Sequence, residues 1–197
     1  MLGLIFLSPL FLLIAILSKF SSSGPVFYRQ TRVGKAGKNF EIVKFRTMHV
    51  DADKHGPSIT AGGDPRITSI GKILRDLKLD ELPQFWNVFK GDMSLVGPRP
   101  EVPFYVKSYT QEQRKVLDVR PGITDPSSLA YRHEEDLLAT QANPENYYQE
   151  ILLPHKLSLN AEYICNTSLK YDLSLLAKTL FSLFSNRPGC IPSAVNR

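Results

Sequence analysis

From Met1 to Leu17 the chain carries no charge, and its apolar run is interrupted only at Ser8-Pro9. A membrane-spanning helix needs roughly 20 apolar residues, so this run is slightly short, and Pro9 removes a backbone donor near its middle. Three readings compete. A secretory signal lacks support, because no basic region precedes the run and no small-residue cleavage site follows it. A buried core helix is open, although the run is apolar all round and offers no polar face to water. The third is a membrane helix bent at Ser8 and Pro9 that enters and leaves on one side, or a short tilted anchor.

Downstream the period changes. Val26–Val33 and Phe40–Arg46 are rich in branched and aromatic residues and read as two strands of a hairpin across residues 34–39. Asp51–Asp64 is polar and Gly-containing, a loop beside the site. From Thr68, Ile70, Ile73, Leu74 and Leu77 repeat at helical spacing with Thr68 or Ser69 as cap. Leu82, Phe85, Trp86 and Phe89 predict a second helix, capped by Asp80, with Pro83 in its first turn and Gly91 at its end. Met93–Val96 reads as a short strand, residues 110–117 as helical, and 144–163 as helical with an interruption at Pro154. Leu173, Leu176, Leu180 and Phe184 form a stripe along a last helix over 169–184, read as core, with a membrane-surface face as the alternative. The expected fold class is mixed, helix-rich α/β with a small sheet: residues 1–20 as the membrane helix, 21–187 as one catalytic domain, 188–197 as a flexible tail.

Charge sharpens this picture. Twenty-four Lys and Arg against nineteen Asp and Glu give a net charge of +5 over 197 residues, which favours an anionic partner. Between Lys19 and Val50 seven cations face Glu41 alone, and positive residues after a membrane segment mark the cytoplasmic side. Aromatics do not interleave with these cations, so no nucleic-acid partner is expected. Two cysteines exclude a disulfide scaffold. Histidines 49, 55, 133 and 155 lack zinc-ligand spacing, and the Gly34–Lys38 turn fails the Walker A pattern.

Asp80 and Glu81 are the most informative pair. As structural residues they are a helix cap and a first-turn acid. As functional residues they are two carboxylates kept ionised at a positive helix end, one able to attack and one able to hold a divalent cation. Pro98-Arg99-Pro100 locks a guanidinium whose fork matches phosphate oxygens. Alternation places Lys44 and Arg46 on one strand face as a phosphate clamp, and Arg75 lies one to two turns upstream of the acids.

Ser8-Pro9, Gly24-Pro25-Val26-Phe27, Gln30-x-Arg32-x-Gly34, Lys44-Phe45-Arg46-Thr47-Met48 and Leu79-Asp80-Glu81-Leu82-Pro83-Gln84 occur in one order. They continue through Asn87-Val88, Lys90-Gly91-Asp92-Met93-Ser94, Gly97-Pro98-Arg99-Pro100 and Val119-Arg120-Pro121-Gly122-Ile123-Thr124. Together they resemble the bacterial sugar transferase family, the monotopic polyprenyl-phosphate phosphoglycosyl transferases. After Thr124 the resemblance is looser, held by an Asp-Pro-Ser-Ser variant and the helix after Tyr163.

The resemblance implies transfer of a sugar-1-phosphate from a UDP-sugar to polyprenyl phosphate, on the cytoplasmic face of the bacterial inner membrane and among its lipids. Asp80 would attack the sugar-proximal phosphate and release UMP, and the lipid phosphate would resolve the phosphosugar-aspartyl enzyme. Glu81 would bind Mg²⁺, Pro98, Arg99 and Pro100 would sit at the uridine end, and Lys44, Arg46, Arg75 and Gln84 would line the phosphate region. Family chains commonly begin earlier, so the re-entrant helix is expected to be N-terminally incomplete here. A membrane-anchored scaffold in which Asp80 is only a cap is the competing reading.

Overall fold

The computed structural model describes residues 8–52, 56 and 59–184. Its architecture is mixed and helix-rich, with two small two-stranded sheets. Helix α1 is Ser8–Ser21 and includes the Ser8-Pro9 pair. The half of the bend expected before Ser8, and the tail expected over 188–197, lie outside the described residues. Strands β1, Phe27–Val33, and β2, Asn39–Phe45, pair antiparallel with Phe27 opposite Phe45 and Val33 opposite Asn39. Lys35–Gly37 form a 3-10 turn between them, close to the hairpin that the branched and aromatic runs predict.

One stripe of α1 packs on this hairpin. Ile14, Phe45 and Leu74 are buried together, with Leu10, Phe11, Val26, Ile70 and Leu79 around them. Phe11 meets the Phe45 ring edge-on at 5.3 Å, and Phe27 stacks on it at 5.4 Å. The rest of α1 is not core: Leu12, Leu13, Ile16, Leu17 and Phe20 are exposed. Among the described residues no helix is long and apolar enough to cross a membrane.

Helix α2, Ser69–Asp76, starts where its cap predicts: the Thr68 hydroxyl oxygen accepts the Gly71 N–H at 2.9 Å. Gly71 lets this helix lie on the chain after β2, because a Cβ there would strike the Thr47 carbonyl. Gly71→Ala is therefore expected to lower stability by about 1–3 kcal/mol through overpacking, read as a fall in C_m at constant m in urea.

The second helix starts later than its apolar repeat predicts. Lys78 turns left-handed at φ 55°, Leu79–Glu81 form a 3-10 turn, and helix α3 spans Gln84–Lys90 with Pro83 before it. Asp80 caps nothing. The left-handed residue ends one helix and the proline opens the next, so the acids sit in the corner between them. Gly91, at φ 83°, ends α3 as expected.

Strand β3, Ser94–Val96, pairs parallel with β4, Gly122–Thr124. Beyond them lie α4 (Pro103–Val106), α5 (Pro126–Ala130), α6 (Glu134–Ala139), α7 (Pro144–Tyr147), α8 (Leu153–Cys165) and α9 (Leu169–Phe184). The segment expected as a helix over 110–117 is instead a 3-10 stretch, Gln113–Asp118. A π turn, Tyr148–Leu152, joins α7 to α8 and absorbs the interruption at Pro154, which falls in the first turn of α8 where its missing N–H does little harm. Val33, Val102, Tyr105, Val116, Tyr148 and Leu152 belong to the larger core. The α9 stripe does not. Leu175 is buried and Thr179 bonds Thr124 at 2.6 Å, so the inward face lies there; Leu173, Leu180 and Phe181 are exposed.

Candidate active site

The corner between α2 and α3 sets Glu81 between two cations from distant segments. Lys44, on β2, donates to Glu81 Oε1 at 2.8 Å. The Arg99 fork closes over both carboxylate oxygens, with NH1 3.2 Å from Oε2 and NH2 on Oε1. Burial works against the Glu81 charge, yet Arg99 and Lys44 together hold its carboxyl well below the usual range. Glu81 in turn raises the Arg99 guanidinium. Burial still lowers the Lys44 ammonium, with Glu81 opposing.

Asp80 is placed differently. It is 7% exposed, and its Oδ1 has no hydrogen-bond partner. Burial and the adjacent Glu81 charge push its carboxyl up, while Lys44, Lys78 and Arg75 pull the other way without cancelling them. Gln84, four residues on, is 1% exposed and its Nε2 is also unpartnered. A buried acceptor and a buried donor, both unused, stand within one turn of each other. Leaving such groups unpaired is costly, and a ligand oxygen meeting Gln84 or a phosphorus meeting Asp80 would relieve it.

The remaining predicted residues divide. Arg75 donates to Thr47 Oγ1 at 2.9 Å and to Glu135 Oε1 at 2.8 Å, leaving its charge to act on Asp80. Arg46 is not brought to the acids. Its NH2 donates to the Ser22 carbonyl and hydroxyl at 3.0 Å each, so it ties the end of α1 to the hairpin. The chain leaves β2 at Phe45, which breaks the alternation that would have put Arg46 beside Lys44.

Pro98 and Pro100 are buried on either side of Arg99. The Pro98 carbonyl accepts from Gly122 N–H at 3.0 Å and the Pro100 carbonyl from Arg32 NH1 at 3.0 Å. Between them, the Arg99 N–H donates to Asp125 Oδ2 at 2.8 Å. Asp125 is a residue that motif reading left unassigned. It is fully buried, caps α5 through Ser128 N–H at 2.7 Å and accepts from Ser127 Oγ at 2.6 Å. The Asp-Pro-Ser-Ser segment carried the signal, since Asp at the cap with Pro next is a helix start. Asn87 was likewise unassigned; it takes the Val43 N–H at 3.1 Å and gives to the Glu41 carbonyl at 2.7 Å, binding α3 to β2. Asp125→Ala is expected to cost about 2 kcal/mol, and Asp125→Asn, which keeps an acceptor oxygen, should recover part of it in thermal unfolding.

Among the described residues no three His, Cys, Asp or Glu side chains gather as a metal cage. Mg²⁺ does not require one, because it commonly takes one or two carboxylates and completes its shell with water and substrate phosphates. One oxygen of Asp80 is unpartnered and suits that donor set, whereas both Glu81 oxygens are engaged by Lys44 and Arg99 and one contact would have to be exchanged for the ion.

Two carboxylates with cations on several sides suit a phosphate-bearing substrate. The chain belongs to the bacterial sugar transferase family, whose pattern it matches over residues 1–186. It is 38% identical over 183 residues to a UDP-N-acetylgalactosamine-undecaprenyl-phosphate N-acetylgalactosaminephosphotransferase of Aeromonas hydrophila, covering 90% of this chain and 40% of that protein. It is 36% identical over 192 residues to a UDP-glucose:undecaprenyl-phosphate glucose-1-phosphate transferase of Escherichia coli K12, covering 93% and 38%. With the exopolysaccharide production protein ExoY of Sinorhizobium fredii it shares 35% identity over 194 residues, covering 91% and 79%. The chain thus spans about two fifths of the first and second of these relatives and about four fifths of the third.

Proposed function

We propose that the chain transfers a sugar-1-phosphate from a UDP-sugar to undecaprenyl or another polyprenyl phosphate, as an early membrane step of bacterial polysaccharide assembly. One observation carries the reading: Asp80 is buried with an unused carboxylate oxygen, beside a Glu81 already held by Lys44 and Arg99. The chemistry of the relatives' names supports it.

In this mechanism an Asp80 oxygen attacks the phosphorus next to the sugar. The new O–P bond forms as the bond to the bridging oxygen breaks, and UMP leaves with that electron pair. An oxygen of polyprenyl phosphate then attacks the same phosphorus and the Asp80 carboxylate departs. A carboxylate nucleophile divides one displacement into two. Lys44, Arg75 and Lys78 lie within electrostatic reach of Asp80 and offset phosphate charge. Gln84 Nε2 is a donor in reserve for a phosphoryl oxygen, and the Pro98-Arg99-Pro100 segment, pinned by Arg32, Gly122 and Asp125, receives the nucleotide end. Mg²⁺ would be held by Glu81 in exchange for one of its contacts to Lys44 or Arg99, with Asp80 adjacent, and when bound it would neutralise diphosphate charge. The exposed apolar face of α1 lies in the cytoplasmic leaflet of the inner membrane, bringing the site to the interface where the lipid phosphate resides.

The scaffold reading depends on Asp80 being a helix cap, and the Asp80 side chain caps no helix here. The test is a panel of UDP-sugars with polyprenyl phosphate and Mg²⁺. Release of UMP with one or a few sugars is expected; no release with any donor would overturn the proposal.

A further inference from the structure

Glu135 belongs to none of the motifs and lies beyond Thr124, where the sequence resemblance is looser. It is nevertheless the acid that meets Arg75, the α2 cation whose charge reaches Asp80. Helix α6 brings it there from 60 residues further along the chain. The Glu135 side chain is 45% exposed and that of Arg75 21%. An ion pair so open to water adds little stability on its own, so the pair has to be explained by what it orients.

Arg75 is gripped on two sides by groups that are themselves fixed. Its Nε donates to Thr47 Oγ1 at 2.9 Å and its NH1 to Glu135 Oε1 at 2.8 Å. Thr47 is buried, and its carbonyl accepts the Thr68 N–H at 2.9 Å at the start of α2. The Glu135 carbonyl accepts the Gly62 N–H at 2.8 Å, and its neighbour Glu134 accepts from Lys156 at 2.8 Å, so this turn of α6 is tied on both sides. Asp64, which also feels the Arg75 charge, is taken by Arg66, whose NH2 lies 2.6 Å and Nε 3.0 Å from its oxygens. The remaining Arg75 nitrogen, NH2, makes no hydrogen bond among the described residues. A long side chain with a planar head is thus held in one orientation with one donor left over.

We propose that Glu135 is a positioning residue: with Thr47 it holds Arg75 so that NH2 meets an oxygen of the donor's sugar-proximal phosphate as that phosphate reaches Asp80. The inference deepens the proposed function and rests on it for the identity of the donor. A guanidinium already ordered before the ligand arrives loses little freedom on binding, which is where the affinity comes from. Calorimetric titration of the full chain in detergent micelles with UDP and with UMP, Mg²⁺ present, tests this without knowing the sugar. UDP carries the phosphate that would meet Asp80, and UMP lacks it. In an Asp80→Asn background, which removes turnover, Glu135→Ala should weaken UDP about tenfold, the scale of one charge-assisted hydrogen bond. UMP should stay within about twofold, the scatter between independent sites. Glu135→Gln keeps an acceptor oxygen for Arg75 NH1 and should hold UDP within about threefold. Glu135→Asp, one methylene short, should fall between the two. Arg75→Ala combined with Glu135→Ala should bind UDP no worse than Arg75→Ala alone, because the pair acts as a unit.

Equal losses for UDP and UMP would make Glu135 a structural tie between α2 and α6 and overturn the proposal. So would unchanged UDP affinity in the alanine and aspartate variants, or additive losses in the double variant; the proposed donor would then still stand. No UDP binding by the Asp80→Asn protein itself would defeat the donor reading and this inference with it. A UDP-specific loss at Glu135 in a chain whose Asp80→Asn form still turns over would defeat the nucleophile and leave Glu135 in its role.

Discussion

Asp80→Asn is expected to abolish UMP release, a loss of at least about 10⁴-fold on the scale of other covalent nucleophiles, while raising the midpoint of thermal unfolding. The two effects have one cause. The Asp80 carboxylate is buried with an unpartnered oxygen, and burial and the Glu81 charge raise its proton affinity. Asparagine is isosteric and uncharged, so it removes the reacting oxygen and the electrostatic cost together, for a gain of about 1 kcal/mol. A helix cap would behave differently: asparagine caps about as well as aspartate, so the same substitution there would leave stability nearly unchanged, and only alanine would cost about 0.5–2 kcal/mol.

The direction of the pH dependence follows. Asp80 must be ionised to attack, so the rate should fall as pH drops through a value above the ordinary Asp range. For stability, a carboxyl raised in the folded state favours folding most when protonated. Its contribution is therefore lost as pH rises from the unfolded to the folded value.

Glu81→Gln has the second largest expected effect, and it falls on both activity and stability. It leaves Lys44 and Arg99 facing a neutral amide in a half-buried site, a break in an ion cluster worth about 3 kcal/mol or more. Glu81 is held below the usual carboxylate range in the fold. The stability it supplies is present above its unfolded value near 4.5 and lost as pH falls through the folded one; the glutamine variant should lack that dependence. With the like charge gone, the Asp80 carboxyl falls, so whatever rate remains should have its acid limb at lower pH. A rate profile recorded from pH 4 upward, on protein shown to be folded by circular dichroism, separates this shift from simple unfolding.

Much of this was legible from local pattern. The hairpin, the Thr68 cap, Gly91 at the end of α3 and the adjacency of the acids each depend on residues close in sequence. What escaped depends on geometry between segments. Asp80 looked like a cap because Asp before an apolar helical repeat usually is one; the left-handed Lys78 and the proline at 83 moved the helix start three residues on. Arg46 looked like a partner of Lys44 because alternation was extended one residue past the strand, and its guanidinium instead closes on Ser22. The stripe on α9 had the right period and the wrong phase: only the neighbours of Leu175 and Thr179 say which side faces in. Asp125 could not be linked to Arg99 by spacing, since 26 residues and a strand pairing separate them.

Intact-mass spectrometry of the purified chain, after mixing with the donor UDP-sugar and no lipid, most directly examines whether a side chain carries phosphorus. A mass gain of one sugar phosphate is expected, mapped to the carboxylate at residue 80 and discharged when polyprenyl phosphate is added. Continued turnover with no such species under rapid quench, or a species that survives in the Asp80→Asn protein, would contradict it.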